Sequence, residues 1–211
     1  MKSNKKYNQQ LLVEGNDDMH VIWALCKKFK VPESFEIIDC KGISNIYEQI
    51  PTRFKQSEIL TIGIIIDADT NLSSRWESVR GLLMAQGYDV PRELPENGLI
   101  LRNAENTTVG VWVMPDNSLN GMLEDFISFL VPADDKLLPI VNAHLDNIEK
   151  ENLNKYLLIH KSKATIHAWL ALQEDPGTPM GLSITKKYLS TNEETCLRLI
   201  KWLNQLFNES V

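Results

Sequence analysis

Hydrophobic residues in the first ninety positions fall into two kinds of run that alternate along the chain. Short blocks are almost wholly aliphatic or β-branched. "LLV" closes a stretch that predicts a strand over residues 7–13, "FEIIDC" (35–40) a second, and "ILTIGIIIDAD" (59–69) a third. The third is the strongest, and its nearly unbroken apolar run predicts a strand covered by helices on both faces. Between these blocks apolar residues recur every three or four positions, the signature of amphipathic helices. Met19, Ile22, Trp23, Cys26 and Phe29 mark one helix, capped by Asp17 or Asp18 and running to residue 30, where "VPES" ends it. "SNIYEQIPTRFKQ" (44–56) predicts a second, bent or started at Pro51, and residues 73–86 a third with Trp76, Val79 and Leu83 inward.

The rest of the chain reads differently. Pro91, Pro95 and Gly98 mark a loop. "GLILRN" and "VGVWVMPD" then predict two strands, paired as a hairpin across the polar turn "AENTT". Beyond Pro115 the periodicity is helical, over 119–130, 135–149, 154–173 and 193–207, with a turn-rich loop "QEDPGTPMG" at 173–181. Strand–helix alternation followed by helices predicts an α/β fold, a three-layer core with a mostly parallel sheet plus a helical C-terminal part. The change of character sets the core at residues 1–130 and a helical extension, packed on that core, at 131–211.

Composition narrows the classes. The 211 residues are 43% hydrophobic and carry a formal charge of −6. Residues 1–60 hold 9 basic and 8 acidic side chains, the remainder 13 and 20. Outside "CKKFK" and "HKSK" there is no basic run, which argues against tight nonspecific nucleic-acid binding and leaves room for a weak or transient encounter. No apolar run reaches membrane-spanning length, and "MKSNKKYNQQ" has no signal-peptide core. Cys26, Cys40 and Cys196 are too scattered for a metal knuckle, and the expected setting is cytoplasmic with reduced thiols.

Chemistry gathers where aliphatic runs end in acids. "LLVEGNDD" (11–18) places Glu14 at a strand tip, and "GIIIDADTN" (63–71) places Asp67 and Asp69 at another. Alternation along a strand puts residues i and i+2 on one side, so both aspartates aim at one point. With Glu14 on a neighbouring strand, the three form a set of hard oxygen ligands suited to Mg²⁺ or Mn²⁺. A further cluster, "MPDNSLNGMLEDF" (114–126), places Asp116 past a strand and Glu124 and Asp125 on a helix that Asn117 or Ser118 would cap; Glu124 is a candidate ligand or a solvent-facing residue. In "HKSKATIHAWLALQ" (160–173), Lys161 and Lys163 suit a developing phosphate charge, or a basic solvent face. His160 and His167 lack a third zinc ligand.

The two motifs "LLVEGNDD" and "GIIIDAD", some 50 residues apart, resemble the Toprim domain shared by topoisomerases, bacterial primases, OLD-type nucleases and small maturation ribonucleases. The likeness covers residues 8–90, and "EGNDD" is most similar to the nuclease branches; "GMLEDF" is similar to a segment of the OLD-like and related small bacterial Toprim proteins. The resemblance implies that Asp67 and Asp69 hold Mg²⁺. It gives Glu14 the role of general acid or base or of a second-metal ligand, has Gly15 permit a tight turn and the approach of phosphate, and adds Asp18 or Asp17 as the next acidic position. It casts Lys163 as a catalytic lysine and Lys161 as a phosphate binder. The implied activity is Mg²⁺-dependent phosphodiester chemistry on nucleic acid, nuclease-like. No topoisomerase body, primase zinc module or Walker A loop accompanies these motifs. The alternative is a non-catalytic module that binds metal and nucleotide, or a subunit serving a protein partner.

Overall fold

The computed structural model describes residues 7–102 and 107–208. The first six positions of the polar N-terminal stretch, and residues 104–106 of the turn "AENTT", lie outside them. Five strands form one sheet: β1 (Gln9–Val13), β2 (Glu36–Asp39), β3 (Thr61–Asp67), β4 (Leu99–Arg102) and β5 (Thr108–Met114). Their order is β2-β1-β3-β5-β4. All neighbours are parallel except β4, which runs antiparallel to β5 at one edge. Among the described residues there are eight α-helices: α1 (Asn16–Phe29), α2 (Ile43–Phe54), α3 (Leu72–Ala85), α4 (Leu123–Phe129), α5 (Leu137–Lys150), α6 (Lys161–Ala171), α7 (Met180–Thr185) and α8 (Glu194–Phe207).

The predicted three-layer α/β architecture is the one observed. Leu12, Ile64, Ile66, Val111 and Val113 point to one face, where Ile46 and Ile50 of α2 and Trp76, Val79 and Leu83 of α3 cover them. Leu11, Val13, Ile65, Trp112 and Met114 point to the other, under α1, α4, α6, α7 and α8. The central strands β1, β3 and β5 are buried on both faces because each carries apolar residues at both parities, while the edge strands β2 and β4 are only partly covered. Gly63 and Gly110 are register partners on β3 and β5. A Cβ at Gly63 would lie 2.8 Å from Phe207 Cζ, and one at Gly110 would lie 2.6 Å from Leu206 Cδ2. The paired glycines therefore leave a slot in the sheet that receives the end of α8. Trp202 donates its indole N–H to Leu99 O at 3.0 Å, and Phe207 stacks on Phe35 at 4.0 Å.

Three local readings change. Pro51 lies inside α2, three residues before its end, so it does not start that helix. The helix expected at 119–130 begins only at Leu123, because Asp116 and Asn117 bind backbone N–H groups of the preceding loop and strand. Of the expected helix 154–173, α6 supplies residues 161–171 and residues 158–160 form a single 3-10 turn, while 154–157 and 172–173 are not helical. The helix α7 was not expected. It lies against α1, with Met180 and Ile184 buried, and Gly181 is what allows the approach. A Cβ there would sit 2.6 Å from His20 O, a backbone atom fixed within α1.

Two glycine substitutions should therefore act in opposite directions. Gly181→Ala should destabilise the protein by about 1–3 kcal/mol through overpacking. Gly81→Ala, in the middle of α3 with no atom within 4 Å of the added methyl, should stabilise it by about 0.5–1 kcal/mol through helix propensity. Urea unfolding of the two variants checks both signs.

Candidate active site

The parallel pairing of β1 with β3, in register Val13↔Ile65, brings Glu14 beside the last turn of β3. Glu14 Oε1 accepts the Asp67 N–H at 2.8 Å. Burial raises the Glu14 pKa; the Asp67 N–H and Arg75 oppose the shift, and Asp69 adds to it. Beyond Glu14 the chain turns directly into α1. Asp18 reaches back from the first turn, and its Oδ2 accepts the Gly15 N–H at 3.0 Å. The capping bond and the buried acidic position thus fall on the same residue, Asp18, and Asp17 lies outward of it.

A crevice of about 230 Å³ opens at these strand tips, lined by Gly15, Asn16, Asp17, Asp18, Asp67, Leu123, Glu124 and Lys163. Asp67 Oδ1 accepts the Leu123 N–H at 3.0 Å. Glu124, only 4% exposed, has its Oε1 3.4 Å from Lys163 Nζ, and that lysine side chain is half exposed at the mouth. Burial is the main force raising the pKa of Asp67 well above the ordinary range, and the charges of Asp18, Glu14, Glu124 and Asp69 push it further. Asp18 is raised to about 7, by burial first and then by Glu14. The crevice is therefore short of positive charge. Lys163 is the lysine among its lining residues.

Asp69 does not share this crevice. β3 ends at Asp67, and Asp69 adopts a left-handed backbone with φ 51°, so strand alternation no longer governs its direction. Its backbone is tied to Gly121 by reciprocal hydrogen bonds of 2.7 and 2.8 Å. Its carboxylate is ion-paired with Arg75. The pair lines a separate hollow of about 250 Å³ with Tyr47, Thr70, Asn71, Ser74 and Ser78. Glu14 stands at the partition, within electrostatic reach of Asp18 on one side and of Asp69 and Arg75 on the other.

Two phosphate-binding expectations also change. Lys161 turns to α5, where its Nζ lies 2.6 Å from Asp146 and 2.7 Å from Glu149; an incoming phosphate would have to compete with both carboxylates. Gly15 has φ −145° and ψ 177°, an extended conformation open to any residue. Its lack of a side chain matters for space: a Cβ would sit 3.3 Å from Asp18 Oδ2. His160 and His167 line another hollow with Tyr156, Lys163 and Ala164. Asp125 caps α4 through the Met122 N–H at 2.8 Å and accepts a hydrogen bond from Ser162. Among the described residues, no group of three or more His, Cys, Asp or Glu is set to hold a metal ion.

The chain was compared with known proteins against this geometry. A family described as "Protein of unknown function (DUF3226)" matches residues 8–208. The chain belongs to that family. The match is not to a Toprim family, and it brings no activity with it. Two structures of the C-terminal region of the OLD protein from Xanthomonas campestris pv. campestris are similar at 14% identity. One, phased with mercury, has a TM-score of 0.41 over 95% of this chain and 86% of that one. The other, phased with iodine, has a TM-score of 0.44 over 95% and 96%. Likeness at this level carries no argument about activity. No curated protein matches the chain.

Arg75 and the Asp69–Gly121 clasp were missed by sequence reasoning. The signal available was the arginine six residues after Asp69, one turn into a helix starting at Leu72.

The raised carboxylates fix the sign of a pH effect. Asp18 shifts from 3.8 to about 7 on folding, so the native chain holds a proton that the unfolded chain releases. That contribution to stability is complete below about pH 4 and is lost as pH rises through about 7. Asp18→Asn keeps an acceptor for the Gly15 N–H and removes the titration. Relative to wild type it should gain at least about 3 °C in Tm between pH 5 and 8 without added metal. Equal pH profiles in a thermal melt would contradict this.

Proposed function

We propose that this chain is a Toprim-like, metal-dependent phosphodiesterase acting on nucleic acid, with its reaction centre in the strand-tip crevice. The carrying observation is the concentration of carboxylates, buried Asp18 and Glu124 and partly buried Asp67, around one small crevice with a single lysine among its lining residues. Carboxylates so crowded must either take up protons or meet a cation. Their oxygens suit a hard ion, so the donor chemistry fits Mg²⁺ or Mn²⁺.

In this reading Asp18, Asp67 and Glu124 would hold the cation, and binding it would lower the pKa values of Asp18 and Asp67 that burial has raised. Bound Mg²⁺ or Mn²⁺ supplies electrophilic stabilisation of the phosphoryl oxygens and an activated water. Lys163, half exposed at the mouth, offers its ammonium to the phosphate. Glu14 keeps one oxygen on the Asp67 N–H; its pKa, raised by burial, suits it to hold a proton and pass it at the scissile oxygen. Asp69, neutralised by Arg75, shapes the field around Glu14 and Asp67.

Glu14→Gln isolates the proton, since a glutamine oxygen can still accept the Asp67 N–H. It should reduce cleavage by about 10²-fold or more with a melting temperature in EDTA no lower than that of wild type. Asp67→Asn should abolish the Mn²⁺-dependent rise in Tm as well as cleavage. Purified chain is to be incubated with single- and double-stranded DNA and RNA in Mg²⁺ or Mn²⁺. Absence of cleavage in every case defeats the reading. Metal-dependent nucleotide binding without cleavage would leave the binding module in its place.

A further inference from the structure

We propose that the groove between α1 and α7 is a binding track for single-stranded nucleic acid, leading a strand into the carboxylate crevice; this rests on the phosphodiesterase reading above. The groove has a volume of about 840 Å³, and its lining includes Asn16 and Asp17, which also line the crevice. The two spaces adjoin at the first turn of α1.

One face of α1 forms the floor. Asn16, His20, Trp23, Lys27 and Lys30 follow one another at steps of four and three residues, all line the groove, and all are exposed. Such spacing sets them in a single stripe. From Asn16 to Lys30 the stripe runs about 21 Å at 1.5 Å per residue, longer than one nucleotide. Leu182 of α7, 44% exposed, stands on the opposite wall. Gly181 holds that wall in place by its close approach to His20.

Trp23 decides the chemistry. Trp76, Trp112, Trp169 and Trp202 are at most 4% exposed, whereas Trp23 is 59% exposed. Its position among apolar residues in the sequence predicts burial, yet the buried residues of α1 are Asp18, Val21, Ile22 and Leu25. His20 meets its ring edge-on at 5.9 Å between centroids, so the imidazole braces the indole and leaves its face for stacking to Trp23 alone. An exposed indole beside lysines suits an unpaired base with its flanking phosphates, because every base presents a π-face for stacking. A duplex keeps those faces occupied. At the far end of the track Lys27 and Lys30 outnumber the one acid there, Glu33, while the near end, with Asp17, opens toward the carboxylates. This polarity places phosphates along the lysines and one scissile phosphate at the crevice, and it favours a nucleic-acid strand over an apolar peptide.

The test separates track from chemistry. A fluorescein-labelled single-stranded oligothymidylate and a duplex of equal length are titrated in EDTA, with anisotropy as readout. Wild type should prefer the single strand. Trp23→Ala and Lys27→Gln/Lys30→Gln should each weaken single-strand binding by about 10-fold or more. Circular dichroism checks folding, and the conservative Trp23→Phe serves as a second variant that should retain part of the affinity. Indole quenching by the oligonucleotide should be seen in wild type and be largely lost in Trp23→Phe. Unchanged affinity in all three variants, equal binding of duplex, or no binding by wild type overturns the track. Trp23-dependent binding of a leucine-rich amphipathic peptide with none of the oligonucleotide overturns it in favour of a protein partner. Hydrolysis of bis(p-nitrophenyl) phosphate with Mn²⁺ by wild type reports the crevice alone. Its absence beside Trp23-dependent oligonucleotide binding defeats the phosphodiesterase reading and leaves the track standing.

Discussion

Everything at the strand tips follows from the alignment of β1 with β3. With Val13 opposite Ile65, the glutamate that ends one strand reaches the backbone amide of the aspartate that ends the other. A slip of one residue would turn Glu14 to the other face and bury its charge among aliphatic side chains. The register is held by apolar residues on both faces, so the core and the site share one constraint. Three acids, Glu14, Asp18 and Asp67, are thereby gathered in a region where burial disfavours their ionised forms, with buried Glu124 close by. The opposing forces are few: backbone N–H groups from Gly15, Asp67 and Leu123, and the cations of Arg75 and Lys163.

Arg75 divides the acids into two groups. By holding Asp69 it splits a linear Asp-x-Asp motif between two hollows. Glu124, from a segment remote in sequence, comes to line the crevice beside Asp67 and Asp18. The composition of the crevice is thus decided by tertiary folding as much as by the two motifs.

This explains what was legible beforehand. Strand identity, the parallel core and the placing of Glu14 and Asp67 at strand ends depend on short aliphatic runs, residues 11–13 and 64–66 chief among them, each ending abruptly in an acid. The direction of Asp69 depends on a single left-handed residue, and no apolar pattern records that. The fate of Lys161 depends on which helix docks beside it, and the role of Gly15 on where the Asp18 carboxylate lies. Trp23 was misread because hydrophobicity ranks an indole with core residues, whereas its exposure was set by the neighbouring stripe of Val21, Ile22 and Leu25 taking the inner face. The six-residue α7 is too short to display a helical period.

The slot made by Gly63 and Gly110 has a bearing on how the chain acquires its structure. Its occupant, the end of α8, arrives very late in sequence: Gln9 donates to Phe207 O across 198 residues, and Trp202 to Leu99 O across 103. Contacts of such separation raise contact order and slow folding. During synthesis the face bearing Trp112 has no lid from α8 until the ribosome has released residues 199–207. Until α8 docks, the slot at Gly63 and Gly110 stays open and the part of the sheet face that α8 covers stays bare, so the last turns of α8 act as the latch that closes the sheet.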